Sequence, residues 1–131
     1  MVMLFMLSID HSGNPLAQFQ WKNRIVLVFS GDQTEGALQI EALKEFEDEC
    51  LDRDLLLLGV GDDVVSPSYN EKLDAQILRS RFDIKDGEFH LLLIGKDGGV
   101  KLKQTSFTEP KVIFSLIDSM PMRQWEMRKK G

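Results

Sequence analysis

Cysteine is nearly absent from this 131-residue chain: the one thiol is Cys50. No intrachain disulfide, CxxC redox pair or cysteine-built zinc site is possible. Long apolar runs are missing as well. The amino-terminal MVMLFML has seven residues, against the roughly 20 that a membrane-spanning helix needs. It also lacks the basic n-region and clear small-residue cleavage site of a signal peptide. A cytoplasmic chain is the expectation; a leader remnant on a secreted or periplasmic chain is the alternative. Positive charge is in deficit, with 16 Lys and Arg against 21 Asp and Glu and a net charge of −5. Nucleic-acid binding leaves the opposite footprint. There is no repeat, low-complexity segment or linker. The composition, 43% hydrophobic and 28% charged, is that of a globular protein of a length that suits one core.

Residues 1–14 read as a lead-in ending in the turn residues HSGN, and 15–131 as a single domain. PLAQFQW, at 15–21, is a short amphipathic segment, with Phe19 and Trp21 placed to cap one side of the core. The organising stretch is RIVLVFSGDQTEGA, at 24–37. Its unbroken apolar run predicts a strand buried on both faces, running straight into a helix. Asp32 is the expected N-cap, with Glu35 three residues on as in a capping box. That helix is expected over 33–52, with Ile40, Leu43, Phe46 and Cys50 on one face.

A second buried strand is expected at 54–60, then a polar loop, then a helix over 71–82 with Leu73, Ile77, Leu78 and Phe82 inward. A third strand at 89–95, the turn KDGG and a fourth strand at 100–106 make a hairpin, with the fourth strand at an edge. A last helix starts near Thr108, with Val112, Ile113, Leu116, Ile117 and Met120 buried; Pro121 ends or kinks it, and the tail adds a short helix. Two crossovers then give three parallel strands and the hairpin adds an antiparallel one. GVGDD, at 59–63, follows the second strand and lacks a third glycine, so it is not a dinucleotide fingerprint.

The order β-α-β-α-β-β-α is thioredoxin-like: an α/β fold with a four-stranded mixed sheet and flanking helices. RIVLVFSGDQTEGA resembles the first thioredoxin βα unit, with Thr34 and Ala37 where the two active cysteines would stand. GEFHLLLIGKDGGV, at 87–100, resembles the later hairpin, with Phe89 about where that family keeps its cis-proline, next to His90. FQWKNRIVLVFSG, LLLIGKDGGVKLKQTSF and IDSMPMRQWEMR resemble the DUF4174 family. This is a thioredoxin-like domain of bacterial proteins of unknown function and of animal extracellular proteins such as CCDC-eighty and the sushi-repeat proteins. The resemblance carries no enzyme activity; the matrix and adhesion roles of animal members imply a binding module.

No catalytic residue stands out. Cys50 and His90 are the candidates, and no metal site or cofactor is expected. A reactive thiol needs a lowered pKa and exposure, usually at a helix N-terminus. Cys50 instead falls at a helix's C-terminal end, near Asp48, Glu49 and Asp52, and continues the buried face. A one-cysteine peroxiredoxin-like enzyme is the alternative, although peroxiredoxins place their cysteine in the first turn after strand one, the region of Thr34. A lone His90 opening an apolar strand reads as structural, since no nucleophile or second acid accompanies it. Asp32, Gln33 and Thr34 are an N-cap or, as a second alternative, a small-anion site; together with Phe89 they complete the junction. Asp62 and Asp63 read as a solvated loop. In the tail, Met122, Trp125 and Met127 form a partner-binding strip or pack back on the domain. Arg123, Arg128, Lys129 and Lys130 read as a solvated helix end or as contacts to an acidic partner. The leading expectation is a non-catalytic interaction module with an unknown protein partner.

Overall fold

The computed structural model describes residues 14–30, 33–67, 69 and 72–130. After a 3-10 turn at Ala17–Phe19, the order is β1 (Arg24–Phe29), α1 (Gln33–Lys44), α2 (Glu47–Asp52), β2 (Leu55–Val60), β3 (Val64–Val65), α3 (Ala75–Phe82), β4 (His90–Ile94), β5 (Val100–Gln104), α4 (Pro110–Asp118) and α5 (Pro121–Lys130). Among the described residues no helix is long and apolar enough to cross a membrane. The lead-in, apart from Asn14, lies outside the described residues.

One mixed sheet runs in the order β3-β2-β1-β4-β5. β1 and β2 are buried throughout, as an unbroken apolar run demands. Alternate residues point to opposite layers. Ile25, Leu27, Phe29, Leu56, Leu58, Val60, Leu92 and Ile94 pack with Ala75 and Leu78 of α3 and with Leu16 and Phe19. Val26, Val28, Leu55, Leu57, Leu91 and Leu93 pack with Leu43 and Cys50 on one side and Ile113, Phe114 and Ile117 of α4 on the other.

The α/β, thioredoxin-like class is as expected, but several particulars differ. Among the described strands β1 and β2 alone run parallel; β4 is antiparallel to β1, with Phe29 opposite His90 and Ile25 opposite Ile94. The cause is the connection from β2 to β4, which starts and finishes at the same end of the sheet. Val60 and His90 both align with Phe29 there. Of the helix expected at 71–82, the described residues are helical over Ala75–Phe82. Asp74 caps it, accepting from the N–H groups of Gln76 (2.9 Å) and Ile77 (3.1 Å). Its inward face carries Ala75, Leu78 and Arg79, and Ile77 is exposed. Part of the expected loop is instead a fifth strand, β3, which doubles back on β2 through a turn closed by Gly61 N–H to Asp63 O (3.0 Å).

The expected 33–52 helix breaks at Phe46, whose φ of −113° and ψ of 43° are not helical. Its ring meets Phe114 edge-on at 5.9 Å, and the break lets Leu43 and Cys50, in separate helices, both face the sheet. In α4 the buried stripe contains Phe114, and Val112 is exposed. Pro121 begins α5 and so ends the preceding helix without kinking it. Phe19 caps the core, but Trp21 sits at φ 68° and is 62% exposed.

Candidate functional site

The β1–α1 junction is built by close packing. Gly36 on α1 lies against Ser30, so that any side chain there would run into the Ser30 hydroxyl. Ser30 is tied to β2 by its N–H to Val60 O (3.1 Å). This close approach leaves Thr34 and Ala37 exposed on the outer side of the first turns. Asp32 lies outside the described residues, and of Gln33 only its place in α1 is described. The expected capping by Asp32 and the anion site at 32–34 therefore fall outside the described geometry.

Across the junction, Phe89 is buried in the layer under α1 and α4. His90 opens β4 with 16% of its side chain exposed, and its Nε2 lies 3.3 Å from Glu88 Oε1. Its Nδ1 is buried and without a partner among the described residues. The His90 hydrogen bond, helped by the Lys85 N–H, holds the Glu88 carboxyl below its ordinary range. This Glu–His pair has no cysteine near it in the fold, because Cys50 belongs to α2.

Cys50 is buried, with Sγ 3.9 Å from Leu43 O. Burial pushes its pKa up to about 11; Arg53 draws it down, and Glu47 and Glu49 add to the rise. Burial of this kind works against the thiolate form. It borders a cavity of about 140 Å3 lined mainly by Leu43, Leu51, Leu55, Leu57 and Pro67. Asp62 and Asp63 are exposed in the β2–β3 turn, and no group of three or more His, Cys, Asp or Glu among the described residues is placed to hold a metal ion.

The densest polar chemistry lies at the opposite end of the sheet, where the tail helix folds back. Arg24 is 1% exposed. It donates to Arg53 O (2.9 Å) and to both oxygens of Glu126 (3.2 and 3.3 Å). Its Nε has no partner among the described residues. Lys96 bridges Glu126 and Asp54, 2.8 Å from each. Arg53 grips Asp118 with two bonds (3.0 and 2.8 Å) and lies over the Phe114 ring. Arg123 reaches Asp118 (3.0 Å) and Asp52 (2.7 Å), and Lys130 reaches Asp52 (2.6 Å). Hydrogen bonds from Lys130 and Arg123 hold Asp52 down at about 2. Burial pushes Asp118 and Glu126 upward, but the bonds from their Arg and Lys partners outweigh it and leave both below the usual carboxylate range.

Arg123 is thus a buried partner of Asp52 and Asp118, while Lys130 pairs with Asp52 at the surface. Met122 and Trp125 are exposed on the outer side of α5, Met127 is half-buried, and Lys129 lies over the Trp125 ring at 4.8 Å.

Sequence reasoning missed one surface. Gln39 is fully buried. Its Oε1 accepts from Thr108 N–H (2.8 Å) and its Nε2 donates to Thr108 O (2.9 Å). This clamp holds the loop before α4 against α1 and sets Phe107 beside Leu38 in an open groove of about 580 Å3. The signal was available, since position 39 falls on the inward stripe with Ile40 and Leu43, and a buried amide requires partners.

The sheet order, the helices on both faces and the β1–α1 junction define an α/β domain of thioredoxin-like fold. Solved peroxiredoxins share it. The reduced 2-Cys peroxiredoxin of Plasmodium vivax matches with a TM-score of 0.61 at 20% identity, over 84% of each chain. The thioredoxin peroxidase I of Plasmodium yoelii matches with a TM-score of 0.58 at 19% identity, over 84% of this chain and 79% of that one. At such identity the likeness is one of fold alone. The chain belongs to the domain of unknown function DUF4174, whose family model matches residues 15–126. It is similar to coiled-coil domain-containing protein 80 of Danio rerio, 28% identical over 87% of this chain but only 16% of that much longer protein.

Proposed function

We infer that the domain is a non-catalytic interaction module on a thioredoxin-like scaffold. The observation that carries the reading is the state of Cys50. The chain's one thiol is buried in α2, outside the β1–α1 turn, with its pKa raised to about 11. A nucleophilic thiol needs the reverse on every count. Thr34 and Ala37, the positions that would carry redox cysteines, offer no thiol.

Peroxide consumption in the presence of a thiol reductant tests this. The full chain and its Cys50→Ser variant are expected to match buffer alone. Turnover that disappears in Cys50→Ser overturns the reading in favour of a one-cysteine enzyme.

A further inference from the structure

Two exposed surfaces of this chain have opposite chemistry. The groove beside α1 has an apolar floor, formed by Leu38 (60% exposed), Ala42 and Phe107 (39% exposed), with Glu41 and Glu45 on its rim. Among the described residues Glu41 is offset by an exposed contact with Lys44 (3.3 Å), which costs little to exchange. The second surface is the outer side of α5. Met122, Trp125 and Lys129 stand at spacings of three and four, so they form one stripe. Trp125 is 53% exposed with the Lys129 ammonium over its ring, and Arg128 is exposed beside it. On the inner side, Arg123, Glu126 and Lys130 are bonded to Asp118, Asp52, Arg24 and Lys96. Those bonds fix which side of the helix faces outward.

Each surface is rigidly mounted, one by the Gln39–Thr108 clamp and the other by the ion pairs. α5 is tied through Arg24 and Lys96 to the end of the sheet where β1 begins.

We propose that the α5 stripe of one copy docks in the α1–Phe107 groove of a second copy. Trp125 enters between Leu38 and Phe107, and Arg128 and Lys129 meet Glu41 and Glu45. This rests on the interaction-module reading and deepens it by naming the partner. Trp125, about half exposed, offers an aromatic face with few rotamers to freeze, and the opposite rim charges set the register. The contact joins unlike surfaces, so one intact groove and one intact stripe suffice for a pair.

Sedimentation equilibrium over a concentration series tests this, with Leu38→Glu and Trp125→Ala, both at exposed helix positions. The full chain should associate reversibly, and added salt should weaken the association. Each variant alone should lose about thirtyfold or more in affinity, the size of a tryptophan anchor. Mixed together, the two variants should recover a one-to-one complex, because the mixture holds one intact groove and one intact stripe. Association that survives in either variant alone overturns the proposal, as does a mixture that stays monomeric. So does a wild-type chain that stays monomeric throughout, and a parallel titration with a labelled leucine–lysine amphipathic peptide then separates two cases. Leu38-dependent binding of that peptide overturns only self-association and leaves the module reading standing, with a basic partner of another kind. No binding of either sort counts against both.

Discussion

The two ends of the sheet use their polar residues in opposite ways. At the β1–α1 end, where the fold carries its chemistry in thioredoxin-like enzymes, the described residues show an exposed Thr34, a buried Phe89 and a His90 whose Nδ1 has no partner. At the other end, Arg24, Arg53, Lys96, Arg123 and Lys130 interlock with Asp52, Asp54, Asp118 and Glu126. The tail motif IDSMPMRQWEMR, which carries much of the family resemblance, supplies Asp118, Arg123 and Glu126 to this second end. In this chain the motif's charged residues fasten α5 to the sheet, which is a structural role. The apolar residues between them, Met122 and Trp125, are left facing outward.

The comparison is most severely tested by removing Glu126. Its loss in Glu126→Ala strands the buried Arg24 and should cost about 3 kcal/mol, since a buried cation is left without its counter-charge. Replacing both partners, as in Arg24→Met with Glu126→Leu, should recover most of that loss. Urea midpoints measure both, and a cost for Glu126→Ala below about 1 kcal/mol would mean that the seam is merely decorative.

Gln39→Leu comes next, at about 2 kcal/mol, because it leaves the buried Thr108 N–H and C=O unpaired. Faster amide exchange confined to 105–109 is the accompanying sign that the Phe107 loop has come free.

Acid should act on the seam first. Asp52 titrates at about 2 in the folded protein and at about 3.9 when unfolded. Between those values the unfolded chain binds more protons. The seam's contribution is therefore complete above about pH 4 and is lost as the pH falls toward 2. Asp118 and Glu126 shift in the same direction. Asp52→Asn should flatten part of that acid slope in a pH series of thermal melts.

Base should act on Cys50 with the opposite sign. Its folded pKa is raised to about 11, above an unfolded value of about 8.5. Stability is complete below the unfolded value and falls as the pH rises toward 11. Cys50→Ala should lack that alkaline loss.

The smallest effect belongs to the sparse end. His90→Leu removes a buried nitrogen without a partner, so it should change stability by less than about 1 kcal/mol. A large loss would show that His90 does more than fill space.

The parts of this fold that depend on neighbours in sequence were legible. Unbroken apolar runs announced β1 and β2, and KDGG announced the β4–β5 turn, where Gly98 does adopt φ 90°. The direction of β4 was not legible, because a strand buried on both faces reads the same either way along the sheet. The helix break at Phe46 depends on Phe114, far along the chain, and local periodicity cannot register it. The seam was hidden for the same reason: Arg123 and Asp52 stand 71 residues apart, so each looked like an ordinary surface charge. At the candidate site, the absence of redox cysteines was plain in the sequence, and so was the burial of Cys50. The groove went unseen because Phe107 becomes part of it only through a clamp between residues 39 and 108.

The most direct test of the central claim, that this scaffold keeps no reactive thiol, is labelling of Cys50 with a chromogenic disulfide, native and in urea. The account predicts silence in the native protein at neutral pH and one equivalent of thiol on unfolding. Reaction within seconds in the native state would contradict it, because a buried thiol with its pKa raised to about 11 presents almost no thiolate at pH 7.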